Sequence, residues 1–250
     1  MAGHSKWANI KHRKGAVDAA RGKLFTKLVK EITTAARLSG GDPDGNPRLR
    51  AAIITAKSNS MPVDNINRAI KKGTGDTDGA NIEEITYEGY GPGGVAVFIE
   101  AQTDNKNRTS SDIRSSFAKL NGNLGTSGSV AWMFKKQSHF NFDANRYSED
   151  ELMEAALEAG ADDILNEGEE LIMVASPTAF GEVANYLDNN NMKYEQAQLT
   201  MVPENTVNVA GKDAETLFKL IERLEDLDDV QKVYSNFDVD ESELERIANL

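Results

Sequence analysis

From Lys23 onward the apolar positions recur at helical spacing: Leu24, Phe25, Leu28, Val29, Ile32, Ala35 and Ala36 form one stripe, while Lys23, Lys27 and Lys30 fall on another face. The run Gly40 to Pro47 (GGDPDGNP) is a turn cluster that ends this helix. Two short helices follow, Arg48 to Ser58 with Leu49, Ala52, Ile53 and Ala56 inward, and Pro62 to Lys72 with Val63, Ile66 and Ile70 inward. Pro62 opens the second and Gly73 closes it. The short joint Asn59-Ser60-Met61 gives the pair the look of a helix-turn-helix, with Asn65, Asn67, Arg68, Lys71 and Lys72 outward. The same pattern also suits an ordinary corner of a helical bundle.

After a linker from Gly73 to Asn81 the period switches to two. Strands are expected at Ile85 to Tyr87 and Val95 to Ala101 around the turn Gly89 to Gly94, then a helix with Ile113, Phe117 and Leu120 inward, and a strand from Ser129 to Phe134. Near the C-terminus come a strand Thr206 to Val209, a helix Ala214 to Glu225 and a strand Val230 to Asn236. Together these ends spell βαββαβ, the pattern of ferredoxin-like folds. The middle spells it again: strand His139 to Phe142, helix Glu149 to Ala159, strand Asp162 to Leu165, strand Leu171 to Ala175, helix Ala179 to Asn189 and strand Tyr194 to Met201. The expected architecture is therefore α+β: a basic arm and helical bundle over 1–81, an α/β domain made of 82–135 plus 205–240, a second α/β domain of 136–204 inserted in it, and a tail of 241–250. A sequential cut near residue 136 is the alternative, and it leaves each part short of strands.

At 250 residues, 39 % apolar and 27 % charged, the chain has the size and composition of a soluble protein of two or three domains. No stretch approaches the roughly 18 apolar residues of a membrane span, and MAGHSKWANIKHRKG lacks the apolar core of a signal peptide, so a cytoplasmic location without membrane contact is expected. Cysteine is absent, which removes disulfides, thiolate nucleophiles and cysteine-type zinc sites; the three histidines His4, His12 and His139 are too scattered for a metal cluster. Charge is divided along the chain. The first 72 residues carry fifteen basic against five acidic side chains, +10, whereas the whole is −12; residues 73–250 (13 basic, 35 acidic) thus carry −22. A concentrated basic segment is built for polyanions, of which nucleic acid is the commonest in a cell. The acidic remainder is expected to contact the ribosome or another protein, or to orient the basic module.

The candidate nucleic-acid-binding residues are Lys6, Trp7, Lys11, His12, Arg13 and Lys14 of the arm, Arg21, Lys23, Lys27 and Lys30 of the first helix, and Arg48, Arg50, Arg68, Lys71 and Lys72 of the short pair. Trp7 among lysines combines a stacking surface with phosphate neutralisation, though it could equally pin the arm to the bundle. Thr103 to Thr109 lies between strand and helix, where Asn105, Lys106, Asn107, Arg108 and Thr109 form either a phosphate loop or, with better odds, a well-capped helix start. Gly122 to Ser129 (GNLGTSGS) is either a backbone-donor loop or a flexible turn. Gly89, Gly91 and Gly94 match G-x-G-x-x-G but precede a strand rather than a helix, no phosphate-binding Lys-Ser/Thr loop exists, and Pro47 and Ile53 break the calcium-loop pattern begun by Asp42, Asp44 and Asn46. Acidic clusters such as Glu225, Asp226, Asp228 and Asp229 lack a neighbouring histidine and read as a solvated surface. No nucleophile–base pair is visible, so neither an enzyme nor a cofactor is expected.

The segments MAGHSKWANIKHRKGAVDAARGKLFTKL, GGDPDGNPRLRAAI, NRAIKKGTG, YEGYGPGGVAV, TDNKNRT, GNLGTSGSVAWMF, TMVPENTV and LEDLDDVQKVYSNFD together resemble the YebC/PmpR family, which includes the mitochondrial translational activator of cytochrome c oxidase. The resemblance runs from Met1 to about Asp238. It implies a helical N-terminal domain followed by two α/β domains, no catalytic residues, no cofactor, and a cytoplasmic regulator of gene expression. Two accounts of the family carry over: DNA-binding transcriptional regulators, and ribosome-associated factors that bind ribosomal or transfer RNA and aid synthesis of difficult, proline-rich sequences. A ligand-sensing regulator is a third class, although no residue names its ligand. The oligomeric state is left open.

Overall fold

The computed structural model describes residues 17–75 and 82–248, with backbone alone at 17–21, 241 and 248. The first three helices are α1 (Val17–Ser39), α2 (Pro47–Ser58) and α3 (Val63–Thr74). α1 begins at Val17, seven residues before Leu24, the first residue of its apolar stripe. Leu28, Ile32, Ala35 and Ala36 of α1 pack with Leu49, Ala52 and Ala56 of α2 and Ile66 and Ala69 of α3. Val63, expected inward, is exposed, and the joint residue Met61 is buried instead.

The turn between α1 and α2 is organised by Asn46, which is buried. Its Oδ1 accepts from the Leu49 N–H at 3.1 Å, capping α2 one residue before Pro47, while its Nδ2 donates to the carbonyls of Ala35 at 2.8 Å and Gly40 at 2.9 Å. One side chain thus satisfies the orphan groups of two helix ends. α3 crosses α1 at Gly73, where a Cβ would lie 2.4 Å from the Thr33 carbonyl oxygen and 2.7 Å from the Ala36 Cβ, so the crossing requires glycine. Beside it the Thr33 hydroxyl donates to the Ala69 carbonyl at 3.3 Å.

The described residues form two compact units, one drawn from 24–75 and 136–201, the other from 82–135 and 202–248 together with the first turns of α1. Further strands and helices of the chain are β1 (Glu83–Tyr90), β2 (Ala96–Thr103), α4 (Lys106–Lys119), β3 (Asn123–Leu124), β4 (Phe134–Asp143), α5 (Glu149–Ala159), β5 (Asp163–Asn166), β6 (Glu170–Ala175), α6 (Phe180–Asn189), β7 (Gln196–Pro203), β8 (Val207–Asn208), α7 (Gly211–Glu225), β9 (Val230–Ser235), β10 (Phe237–Asp238) and α8 (Glu241–Ala248).

In the first unit β4-α5-β5-β6-α6-β7 forms a sheet of order β5-β6-β4-β7, the ferredoxin-like arrangement. Phe140 and Phe142 of β4 and Leu171 and Met173 of β6 meet Leu152 and Ala156 of α5 and Phe180 and Leu187 of α6. α5 carries a Ser148 cap, three carboxylates in its first turn and Gly160 at φ 75° after its end. Ala51 and Ile54 of α2 join this core, so the helical bundle packs onto the domain.

The second unit has a sheet of order β3-β1-β2-β9 with α4 and α7 on its core face. Its strands lie in the order third, first, second, fourth along the chain, against second, third, first, fourth in the other sheet, and its two inner strands are the consecutive hairpin β1–β2. β8 and β10 form a separate parallel pair. The expected strand at 129–134 is a loop and a 3₁₀ turn, Ala131–Met133, and only the two-residue β3 follows α4 in the sheet.

Asn46→Ala should lower unfolding stability by about 2–4 kcal/mol, since it removes a cap and leaves two carbonyls short of donors. Asn46→Asp keeps the cap acceptor yet turns a carboxylate on those carbonyls. It should be no more stable than the alanine variant in urea titrations at neutral pH; native-like stability of Asn46→Asp would show that the acceptor alone matters.

Candidate nucleic-acid interface

The positive charge of the helical region is divided between internal ties and a free face. Arg48 grips Glu31 of α1 through Nε at 2.6 Å and Nη2 at 2.8 Å. The Arg50 side chain is only 11 % exposed; its guanidinium donates to Asn185 and, at 2.9 Å, to Asp188 of α6. Tyr194 also donates to Asp188, at 3.1 Å, and burial, with the Asp188 charge second, pushes its hydroxyl up to about 12. These two arginines, candidates for nucleic-acid contact by sequence, serve as structural anchors. Lys23 pairs with the exposed Asp226 at 3.2 Å, and Lys27 and Lys30 lie half-buried along α1.

The remaining described candidates, Arg68, Lys71 and Lys72, lie on α3. Asn67, Arg68, Lys71 and Lys72 are exposed on one side of the helix, and Asp64, Asn67, Arg68 and Lys71 line an open hollow of about 390 Å³. Arg68 is steadied by the Asp64 carbonyl at 3.3 Å and by Asn65. Asp64 in the first turn and Lys71 and Lys72 in the last oppose the helix dipole favourably. Because α1 meets α3 at Gly73, exposed Arg37 stands beside this last turn, its backbone nitrogen 3.2 Å from where a Gly73 Cβ would be. Lys71, Lys72 and Arg37 make no ion pair among the described residues. Arg37 was missed by the sequence reading; its place in the last turn of a basic helix was the available signal. Lys6, Trp7, Lys11, His12, Arg13 and Lys14 lie outside the described residues, and of Arg21 only the backbone is described.

The Thr103–Thr109 segment is a helix cap. Asn105 Oδ1 accepts from the Arg108 N–H at 3.1 Å. One carboxylate oxygen of Asp229 takes the Thr109 hydroxyl at 2.8 Å, the Thr103 hydroxyl at 3.2 Å and Arg108 Nη2 at 2.7 Å. Lys106 pairs with Glu83. The positive groups expected to hold phosphate are engaged by carboxylates of the chain itself, while Asn107 stays exposed.

The Gly122–Ser129 loop does end in backbone donors, but their anion is internal. Glu88 of β1 is 3 % exposed, and its carboxylate accepts from the N–H groups of Gly128 at 2.7 Å, Val130 at 2.7 Å and Ala131 at 2.8 Å. Burial opposes its charge, yet these three donors outweigh it and hold the carboxyl below the ordinary value of 4.5. Of the histidines, His139 on β4 is bonded to Gln137, and burial holds it neutral with a pKa of about 4. Among the described residues no three His, Cys, Asp or Glu side chains converge to hold a metal, and no helix is long and apolar enough to cross a membrane. A second open hollow, about 410 Å³ and lined by Arg146, Asp188 and Tyr194 among others, lies in the same unit as α3.

Residues 5–76 match the TACO1/YebC protein N-terminal domain, and residues 82–237 match the TACO1/YebC second and third domain. The chain belongs to the TACO1/YebC family. It is 56 % identical over 247 residues, covering 99 % of this chain and all of the relative, to a protein of Geotalea uraniireducens named "Probable transcriptional regulatory protein". A protein of Syntrophus aciditrophicus with the same name is 54 % identical over 249 residues, again 99 % of this chain and 100 % of that one. The crystal structure of a conserved hypothetical protein from Aquifex aeolicus is similar at a TM-score of 0.80 and 47 % identity, covering 90 % of this chain and 93 % of that one. The family assignment expected from the sequence segments holds, as does the α+β fold with its N-terminal helical region.

Glu88→Gln should flatten the acid limb of the stability–pH curve. Because the folded pKa is lowered, the carboxylate's contribution is complete above the unfolded value near 4.5 and is lost as pH falls through the lowered one. The melting-temperature gap between native and variant chains is expected to be widest near neutrality and to shrink below pH 4.5; a gap independent of pH would assign the effect to packing.

Proposed function

We propose that this chain is a cytoplasmic, non-enzymatic regulator of gene expression that binds nucleic acid through its basic N-terminal region. The observation that carries the reading is the division of labour among the basic side chains: Arg48 and Arg50 are tied to carboxylates, while Arg68, Lys71, Lys72 and Arg37 face solvent on one corner of a bundle held rigid by Asn46 and Gly73. Phosphate neutralisation by such a corner supplies affinity through counterion release and needs no base reading. The −22 carried by residues 73–250 disfavours broad contact of that part of the chain with a polyanion, which leaves most of the phosphate contact to the basic corner. The relatives' names favour duplex DNA as the target.

Ribosomal or transfer RNA is the second reading, and the first turn of α3 favours it. A helix-turn-helix reader presses the N-terminal residues of its second helix against base edges. Here that turn exposes Val63 and Asp64, and the lysines stand at the other end. This placement suits sequence-independent phosphate contact, as on a folded RNA.

Changing Arg68, Lys71 and Lys72 together to alanine should reduce the slope of log K against log salt by roughly 2–3 for a 20-base-pair duplex, at about 0.9 per lost contact. The triple change Lys11, Arg13 and Lys14 to alanine should do the same if the arm shares the contact. An unchanged slope in both variants would remove the basic region from the interface. Sedimentation with ribosomes at near-physiological salt, beside a mixed duplex pool, separates the targets: a ribosome peak that outlasts duplex binding makes the chain an RNA-binding translation factor, and salt-resistant selection of particular duplexes makes it a transcriptional regulator.

A further inference from the structure

The largest exposed apolar side chain among the described residues is Trp132, 66 % exposed. It occupies the 3₁₀ turn between the Gly122–Ser129 loop and β4, and that turn is fixed from every side. The Val130 and Ala131 N–H groups are held by the buried Glu88 carboxylate. The Ser129 carbonyl accepts both the Tyr90 hydroxyl at 3.1 Å and the Trp132 indole Nε1–H at 3.2 Å. The Met133 carbonyl takes the Glu204 N–H at 2.9 Å, and Phe134 is buried against Phe98 with ring centroids 6.0 Å apart. A buried, charged group therefore maintains a large aromatic ring in solvent, the reverse of the usual fate of tryptophan.

Because the indole N–H is already satisfied within the loop, what remains for a partner is the π face. That selects recognition by stacking over recognition by hydrogen bonding. Three residues on, Lys135 is exposed, in a part of the chain where acidic side chains outnumber basic ones by 35 to 13. We propose that Trp132 is a stacking platform for an unpaired nucleobase, with Lys135 meeting the adjoining phosphate. The inference rests on the reading of the chain as a nucleic-acid binder and narrows it. Bases inside a duplex do not offer their faces, so the ligand is a single-stranded segment or loop, of RNA or DNA.

The chain has two tryptophans, Trp7 and Trp132, so the full chain carrying Trp7→Phe reports on Trp132 alone. Its emission is followed during titration with oligouridylate, oligothymidylate and a paired duplex of equal length. Saturable quenching by single strands, with no change on duplex binding, is the expected result; quenching by the ribo- or the deoxyribo-oligomer alone names the source. Trp132→Ala should weaken single-strand binding about 5- to 100-fold and Trp132→Phe much less, with duplex affinity and melting temperature unchanged. Single strands that bind without altering the emission, or with full affinity to Trp132→Ala, would overturn the platform while leaving nucleic-acid binding intact. Failure of the duplex and both single strands to bind the unsubstituted chain would overturn the nucleic-acid reading itself, and this inference with it.

Discussion

The arrangement of the basic surface depends on one buried amide. Asn46 donates to two carbonyls near the end of α1 and accepts from an N–H at the start of α2, so the exit of one helix and the entry of the next are fixed by the same side chain. Neither carboxylate nor hydroxyl could do this, because the site demands two donors and an acceptor from a single group. With that turn fixed, α3 can close on α1, and it approaches so closely that only glycine fits at position 73. The lysines at the end of α3 and the arginine at the end of α1 become neighbours as a result.

Charge in this protein does two kinds of work that composition cannot separate. Ion pairs with at least one shielded side chain, Arg48 with Glu31, Arg50 with Asp188 and Arg108 with Asp229, join separate elements. Their value lies in geometry more than in net stability: removing Asp188 or Arg108 would strand the shielded Arg50 or Asp229, whereas the exposed partners keep their water. The exposed cations at the last turn of α3 are not used this way, which leaves them for an external anion. The same distinction applies to backbone donors. The loop preceding β4 presents N–H groups in the manner of a phosphate cradle, but Glu88 fills it and the loop becomes a rigid bracket for Trp132.

The two α/β units order their strands differently, and they differ also in how closely the elements follow the local pattern of apolar positions. In the unit containing β4 to β7 every expected strand and helix forms, with β4 starting five residues before the expected His139. In the other, the segment after α4 carries Val130, Trp132 and Phe134 at strand spacing, yet Ala131–Met133 form a 3₁₀ turn and the strand begins only at Phe134. Alternation reports which side chains can be buried together, not which backbone groups pair; here a carboxylate from β1 captured the N–H groups that a sheet would have used.

What the sequence determined by itself was whatever depends on local period and on summed charge: the helices, most strands, the α+β class, the opposition of a basic N-terminal segment to an acidic remainder, and, through motif order, the family. Tertiary structure decided which charges are available. Arg50 and Arg68 look alike in sequence, both basic positions on short helices, but Arg50 faces Asp188 across 138 residues of chain and Arg68 faces solvent. Likewise Asp229 read as part of a solvated acidic run and is instead buried under Thr103, Arg108 and Thr109. Partners so distant in the chain leave no local periodicity, since their pairing is set by the packing of helices and sheets whose register only the folded core specifies.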